Sequence, residues 1–222
     1  KVVENIWEAT HFSEVFITTG EKFQYAMMIA PFACKNNMPI LLTNKNKLDM
    51  DVKRALERWK IERVHIIGGT DIISEDVEKE LKKMDIKVRR TKGESISEIN
   101  IKVINRYKMG TSRMGIARED IFTDSLGGAA FAALKNMPVL LAGNSCPDKS
   151  IQNFLKEGDF EEAYIFGGEK AVPNYMIDLI LKKEVVLPCE GIPAKDAFKS
   201  DGRKIAFLTF DDGPSKNVTP LI

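Results

Sequence analysis

The sequence predicts an α/β fold made twice from one unit, as repeated open three-layer modules with mostly parallel sheets. Three observations carry that reading. Met38-Pro39-Ile40-Leu41-Leu42 returns as Met137-Pro138-Val139-Leu140-Leu141, from 38 to 137, a shift of 99. Ile67-Gly68-Gly69 returns at the same shift as Phe166-Gly167-Gly168. Between these anchors, short apolar runs alternate with stretches of helical periodicity. Continuous apolar runs of this kind suit a parallel sheet covered on both faces. Alternating βαβ units in turn demand right-handed crossovers.

In the first copy, Val15–Thr18 is a β-rich run and Phe23–Lys35 a helical stretch dense in Ala, Met and Ile. Ile40–Thr43 is a second strand, bounded by Pro39 and the polar Asn44-Lys45-Asn46. Val52, Ala55, Leu56 and Trp59 fall at i, i+3, i+4 and i+7, one face of a helix. Val64–Ile67 is a third strand, closed by Gly68-Gly69. Ser74 is placed to N-cap a helix with Val77, Leu81 and Met84 on one face. Ile86–Val88 restarts an extended segment, and Ile96, Ile99, Val103 and Tyr107 mark the helix leading into the second copy. There, Ile151, Phe154 and Leu155 answer to Val52, Ala55 and Leu56, and Met176 and Ile180 to Val77 and Leu81. The second copy departs at its start. Ile121-Phe122-Thr123 reads as a short first strand running into Asp124-Ser125-Leu126-Gly127-Gly128, without a counterpart of the Thr19–Lys22 loop.

Composition narrows the function. Of 222 residues, 33 are Lys or Arg and 32 Asp or Glu, a net charge of +1. That balance argues against a dedicated nucleic-acid binder, which concentrates basic excess. No apolar run approaches the roughly 18 residues of a membrane span. Cys34, Cys146 and Cys189 are an odd count without close spacing, so no disulfide framework is implied. Lys1 opens the chain without Met, which implies a start farther upstream.

Few segments carry chemistry. Gly68-Gly69 and Gly167-Gly168 lie where strands give way to helices, where a phosphate could be cradled. Without G-x-G-x-x-G or a Walker lysine, a tight turn needing positive φ is the better account. His65 lies within a strand and reads as a satisfied core histidine, and His11 as a surface residue. Lys87-Val88-Arg89-Arg90-Thr91-Lys92 is the densest basic run. It is a solvated face or a patch for an acidic polymer. Ile205–Leu208 is a strand delivering Thr209-Phe210-Asp211-Asp212-Gly213-Pro214-Ser215. Two carboxylates at a strand end suit a hydrolase, one as metal ligand and one as base; Asp-Asp-Gly-Pro is equally good turn chemistry.

The repeated unit resembles the clostridial-type cell-wall-binding repeat of the second type. The resemblance rests on Phe16-Ile17-Thr18-Thr19-Gly20-Glu21-Lys22-Phe23, Ala30-Pro31-Phe32-Ala33, Pro39–Thr43 and Val64–Gly69. It implies copy one over 1–95, copy two over 96–193 and a linker at 194–203. It also implies a cell-surface location and an anionic wall polymer as partner; Arg89, Arg90 and Lys92 of the basic run are the residues expected to contact it.

Residues 204–222 resemble the first motif of the NodB-homology polysaccharide deacetylases, the truncated start of a (β/α) barrel-type domain. By that resemblance Asp211 is the general base and Asp212 a metal ligand. The complete protein would then be a zinc- or similar metal-dependent N-deacetylase of N-acetylated wall polysaccharide. The 222-residue chain, without the family's downstream metal histidines, is expected to hold no metal and to be inactive. The alternative is a degenerate α/β scaffold or interaction module that no longer binds polymer.

Overall fold

The computed structural model describes residues 11–109, 112–143 and 149–167, and the backbone of 204–208. Eight strands and six helices alternate through these residues: β1 (Glu14–Thr19), α1 (Phe23–Lys35), β2 (Ile40–Thr43), α2 (Met50–Arg58), β3 (Arg63–Ile67), α3 (Glu75–Lys83) and β4 (Lys87–Thr91) in the first repeat. Then come α4 (Ile96–Tyr107), β5 (Arg113–Arg118), α5 (Phe122–Lys135), β6 (Val139–Ala142), α6 (Lys149–Glu157), β7 (Glu162–Phe166) and β8 (Lys204–Leu208).

Each repeat is a four-stranded sheet with every pair parallel, ordered β2-β1-β3-β4 and β6-β5-β7-β8. The chain reverses direction across the sheet after β2, so right-handed crossovers put α1 and α2 on opposite faces. Phe16 packs edge to face on Phe32 of α1 and on Tyr107 of α4, so those helices share one face. Arg90 of β4 reaches Glu78 of α3 on the other. The second and third helices of repeat one are capped by different means. Asp49 accepts from Asp51 N at 2.9 Å. Ser74 occupies the expected N-cap of α3, but its hydroxyl makes no cap bond. Glu75, Asp76 and Glu78 in the first turn and Lys82 and Lys83 in the last offset the dipole of α3 instead.

The start of the second repeat corrects the sequence reading. Its first strand is Arg113–Arg118, six residues long, fully paired with β6 and β7. Ile121-Phe122-Thr123 is the cap and first turn of α5. β5 lies 99 residues after β1, so Glu119 and Asp120 take the places of Gly20 and Glu21 and no loop is missing. Lys204–Leu208 forms a strand, as expected, and its hydrogen-bonding partner is β7. It thereby occupies the slot in the second sheet that β4 holds in the first. Met176 and Ile180 lie outside the described residues.

One core runs through both repeats: Phe16, Ile17, Ile29 and Ile66 belong to the same buried cluster as Ala132, Val139, Leu141 and Phe166. α1 and α5 lie side by side at the seam. Phe23 meets Phe122 edge to face at 5.5 Å, and Gln24 Nε2 donates to the Glu119 carbonyl at 2.9 Å. α4 closes the seam. Its buried Asn100 donates to the Val139 carbonyl at 3.0 Å and accepts from Leu141 N at 2.7 Å, pairing with the open edge of β6 as a strand would.

Candidate functional site

The basic run of the sequence is β4, an edge strand, and strand alternation divides it. Arg90 turns toward α3. Its Nε and Nη2 hold the Glu78 carboxylate at 3.1 and 3.0 Å. Nη1 donates to the carbonyls of Gly68, Gly69 and Ile73 at 3.2, 3.2 and 2.8 Å. This fork pins the Gly68-Gly69 turn. Gly68 has φ +125°, and a Cβ there would fall 2.9 Å from Ile72. Carbonyls gathered on a guanidinium make that turn a cation socket filled from within the chain, the opposite polarity to a phosphate cradle. A hydrogen bond from Lys82 first, and then Arg90, hold the Glu78 carboxyl below its usual range, against the upward push of burial.

The opposite face of the strand is different. Ile40, Phe16, His65 and Arg89 form one cross-strand row. His65 is buried, with Nε2 on a Glu14 carboxylate oxygen at 2.8 Å and Nδ1 on the Tyr107 hydroxyl at 3.1 Å. A carboxylate accepts only. Nε2 therefore carries the proton toward Glu14, and the Tyr107 hydroxyl donates to Nδ1. Burial pushes the His65 pKa down, Glu14 works against it, and Arg63 and Arg89 reinforce it. Glu14 is also shared with Arg63. His65 is thus the satisfied core histidine read from the sequence.

Arg89 and Lys92 are exposed, whereas Arg90 is largely enclosed. A third arginine joins them from α4: Arg106 Nη1 donates to the Arg90 carbonyl at 3.0 Å and to Thr91 Oγ1 at 2.8 Å. Sequence reasoning missed Arg106. Its only local signal was its place in the last turn of α4, one residue before Tyr107. Lys102 is neutralised by Glu98 at 2.5 Å. Asp211 and Asp212 lie outside the described residues. Among the described residues, no group of three His, Cys, Asp or Glu side chains is placed to hold a metal ion, and no helix is long and apolar enough to cross a membrane.

Two parallel four-stranded α/β units, with a basic edge on the first, define a tandem-repeat protein of the open α/β class. The chain belongs to the cell wall binding domain 2 family, whose model matches residues 1–78 and 90–177. It is 25% identical over 163 residues to the N-acetylmuramoyl-L-alanine amidase LytC of Bacillus subtilis, which covers 73% of this chain and 32% of that protein. It is 29% identical over 147 residues to the amidase enhancer of the same organism, covering 66% of this chain and 20% of the relative. Among solved structures, Cwp6 from Clostridium difficile superposes with TM-score 0.69 at 28% identity, over 79% of this chain and 28% of that one. Cwp8 from the same organism shares the fold, with TM-score 0.71 at 20% identity over 95% of this chain and 34% of its own. The chain spans about a third or less of each of these relatives.

Proposed function

We propose that this chain is the non-covalent anchor that holds a larger surface protein on an anionic polymer of the cell wall. The family match over both repeats carries the reading. The cationic edge of β4, with Arg89 and Lys92 exposed, supports an acidic partner. Arg90 contributes by holding that edge in shape. Retention on purified walls, with and without their anionic polymer, tests it. The expected result is salt-sensitive retention that disappears when the polymer is stripped, since added ions screen such contacts. Equal recovery from both wall preparations, or from neither, would leave a scaffold without polymer binding.

We further propose that the complete protein is a metal-dependent N-deacetylase of N-acetylated wall polysaccharide, on the strength of Thr209–Ser215 and the residues after it. A divalent cation needs several donors. In this chain the motif offers Asp212, and the two histidines are elsewhere: His65 is bonded at both nitrogens inside the first repeat. The 222 residues alone do not fit a metal at that motif. A longer form carrying H-x-x-x-H after Ile222 should release acetate from acetylated chitooligosaccharide, and Asp211→Asn should abolish most of that release. An encoding sequence without those histidines would remove the deacetylase and leave the anchor.

A further inference from the structure

We propose that Arg89 and Arg106 together form an oxyanion-binding edge on the first repeat alone, taking phosphate or carboxylate groups of a polyanion laid along β4. This rests on the anchoring reading and narrows it to one edge and two residues.

The arginines of this chain are mostly spoken for. Arg54 pairs with Asp51, Arg63 with Glu14, Arg90 with Glu78, Arg113 with Glu162 and Arg118 with Asp120. Arg89 and Arg106 have no carboxylate within ion-pair reach among the described residues. They are also neighbours. Arg106 is fastened to Thr91, which lies two residues along the same strand face from Arg89, a rise of about 7 Å. Both arginines act electrostatically on Tyr107, which stands between them and His65.

The acids nearby are committed elsewhere: Glu14 to Arg63 and His65, Glu78 to Arg90 on the far face, and Glu98 to Lys102. Two exposed guanidinium groups on one strand edge, with no carboxylate partner among the described residues, repel each other, and an oxyanion between them would relieve that. The planar fork matches phosphate and carboxylate bidentately. Arg106 is already immobilised through Nη1, so less freedom is lost on binding. Lys87 and Lys92 extend the positive strip along the strand.

The second repeat does not reproduce the edge. Its matching row is Val139, Gly115, Tyr164 and Ala206, with alanine at the register position of Arg89. Among the described residues, one such edge follows.

The test is calorimetric titration of the full chain with two soluble probes, poly(glycerol phosphate) and polygalacturonate, at low salt. The expected result is one site per chain. Arg89→Gln and Arg106→Gln should each weaken binding about tenfold, the size of one charge-assisted contact. Arg106→Lys should recover only part of it. Arg89→Gln removes no hydrogen bond among the described residues, so weakened binding should come with an unchanged thermal midpoint, which separates it from a folding defect. Loss with both probes assigns the edge to oxyanions in general, and loss with the phosphate probe alone assigns it to phosphate. Binding of both probes unchanged in Arg89→Gln and Arg106→Gln, or no binding by the native chain, would overturn the edge. Wall retention that survives both substitutions would overturn it too while leaving anchoring intact. Arginine-dependent probe binding without wall retention would do the reverse.

Discussion

Replacing Gly128 by alanine should destabilise this protein, although the same change inside an exposed helix ordinarily stabilises by about 1 kcal/mol. Gly128 lies within α5, and a Cβ there would sit 2.3 Å from Cδ2 and 2.4 Å from Cγ of Phe166. Phe166 is fully buried, and a Cβ on Gly115 beneath it would come within 2.6 Å of Cε2. The ring is therefore held between two glycines and cannot retreat from one without striking the other. Overpacking of a close-packed core costs about 1–3 kcal/mol. With both flanks blocked, the upper part of that range applies. After the helix gain, the net loss is about 1–2 kcal/mol, a fall in Tm of roughly 3–6 °C for a chain of this size. The repeat supplies the compensating change. Positions 29 and 67, the mates of 128 and 166, are both isoleucine. Gly128→Ala with Phe166→Ile should therefore be more stable than the sum of the single effects predicts, by about 1 kcal/mol or more in a thermodynamic cycle from urea unfolding. A stabilising Gly128→Ala, or strict additivity in the cycle, would refute the packing argument.

Arg90→Ala should cost about 1–3 kcal/mol, because it leaves the Glu78 carboxylate to Lys82 alone and frees the carbonyls of the Gly68-Gly69 turn; urea unfolding measures it, and Arg90→Lys should restore only part, having no planar fork. Stability should also depend on His65. Its folded pKa lies below the ordinary value of about 6.5. Its contribution is thus fully present above that pH and is lost as pH falls toward the folded pKa, because the unfolded state binds the proton first. Denaturation midpoints between pH 7.5 and 5 should drop more for the native chain than for His65→Gln, and equal drops would count against the buried Tyr107–His65–Glu14 arrangement.

How much of this was legible depends on what each element required. The continuous strands Ile40–Thr43 and Val64–Ile67 announced themselves because burial on both faces selects apolar residues throughout. β5 hid, since Arg-Met-Gly-Ile-Ala-Arg holds glycine where a strand prefers a branched side chain. That glycine is the floor beneath Phe166, so the signal was erased by a contact fifty-one positions away in the chain. Ile121-Phe122-Thr123, β-rich in type, was needed instead to start α5 against α1. Within the basic run, the sequence reading groups Arg90 with Arg89 and Lys92 as a polymer contact, although period-two alternation sets it on the face of Val88 and away from Arg89, where it is spent on Glu78 and the Gly68-Gly69 turn. Arg106 was beyond reach, because only the fold of α4 back onto β4 brings it to Thr91.

Repeat arithmetic finds the fold here and fails for burial, for a physical reason. If the two copies met through a symmetric interface, mates would be equally covered. Met27 of α1 is 8% exposed and its mate Leu126 of α5 is 50% exposed. Gln24 of the first repeat reaches Glu119 of the second, from the α1 side of the seam to the end of β5. The contact is uneven: mates Phe23 and Phe122 meet at the seam, yet Met27 is covered where Leu126 is exposed. Each copy consequently sees a different environment and has diverged to suit it, Lys35 against Leu134 at the helix ends and His65 against Tyr164 in the sheet row. Mates guide each other inside the core but not at the surface, and the arginines of β4 and α4 that lack a carboxylate partner must be judged by what surrounds them in repeat one alone.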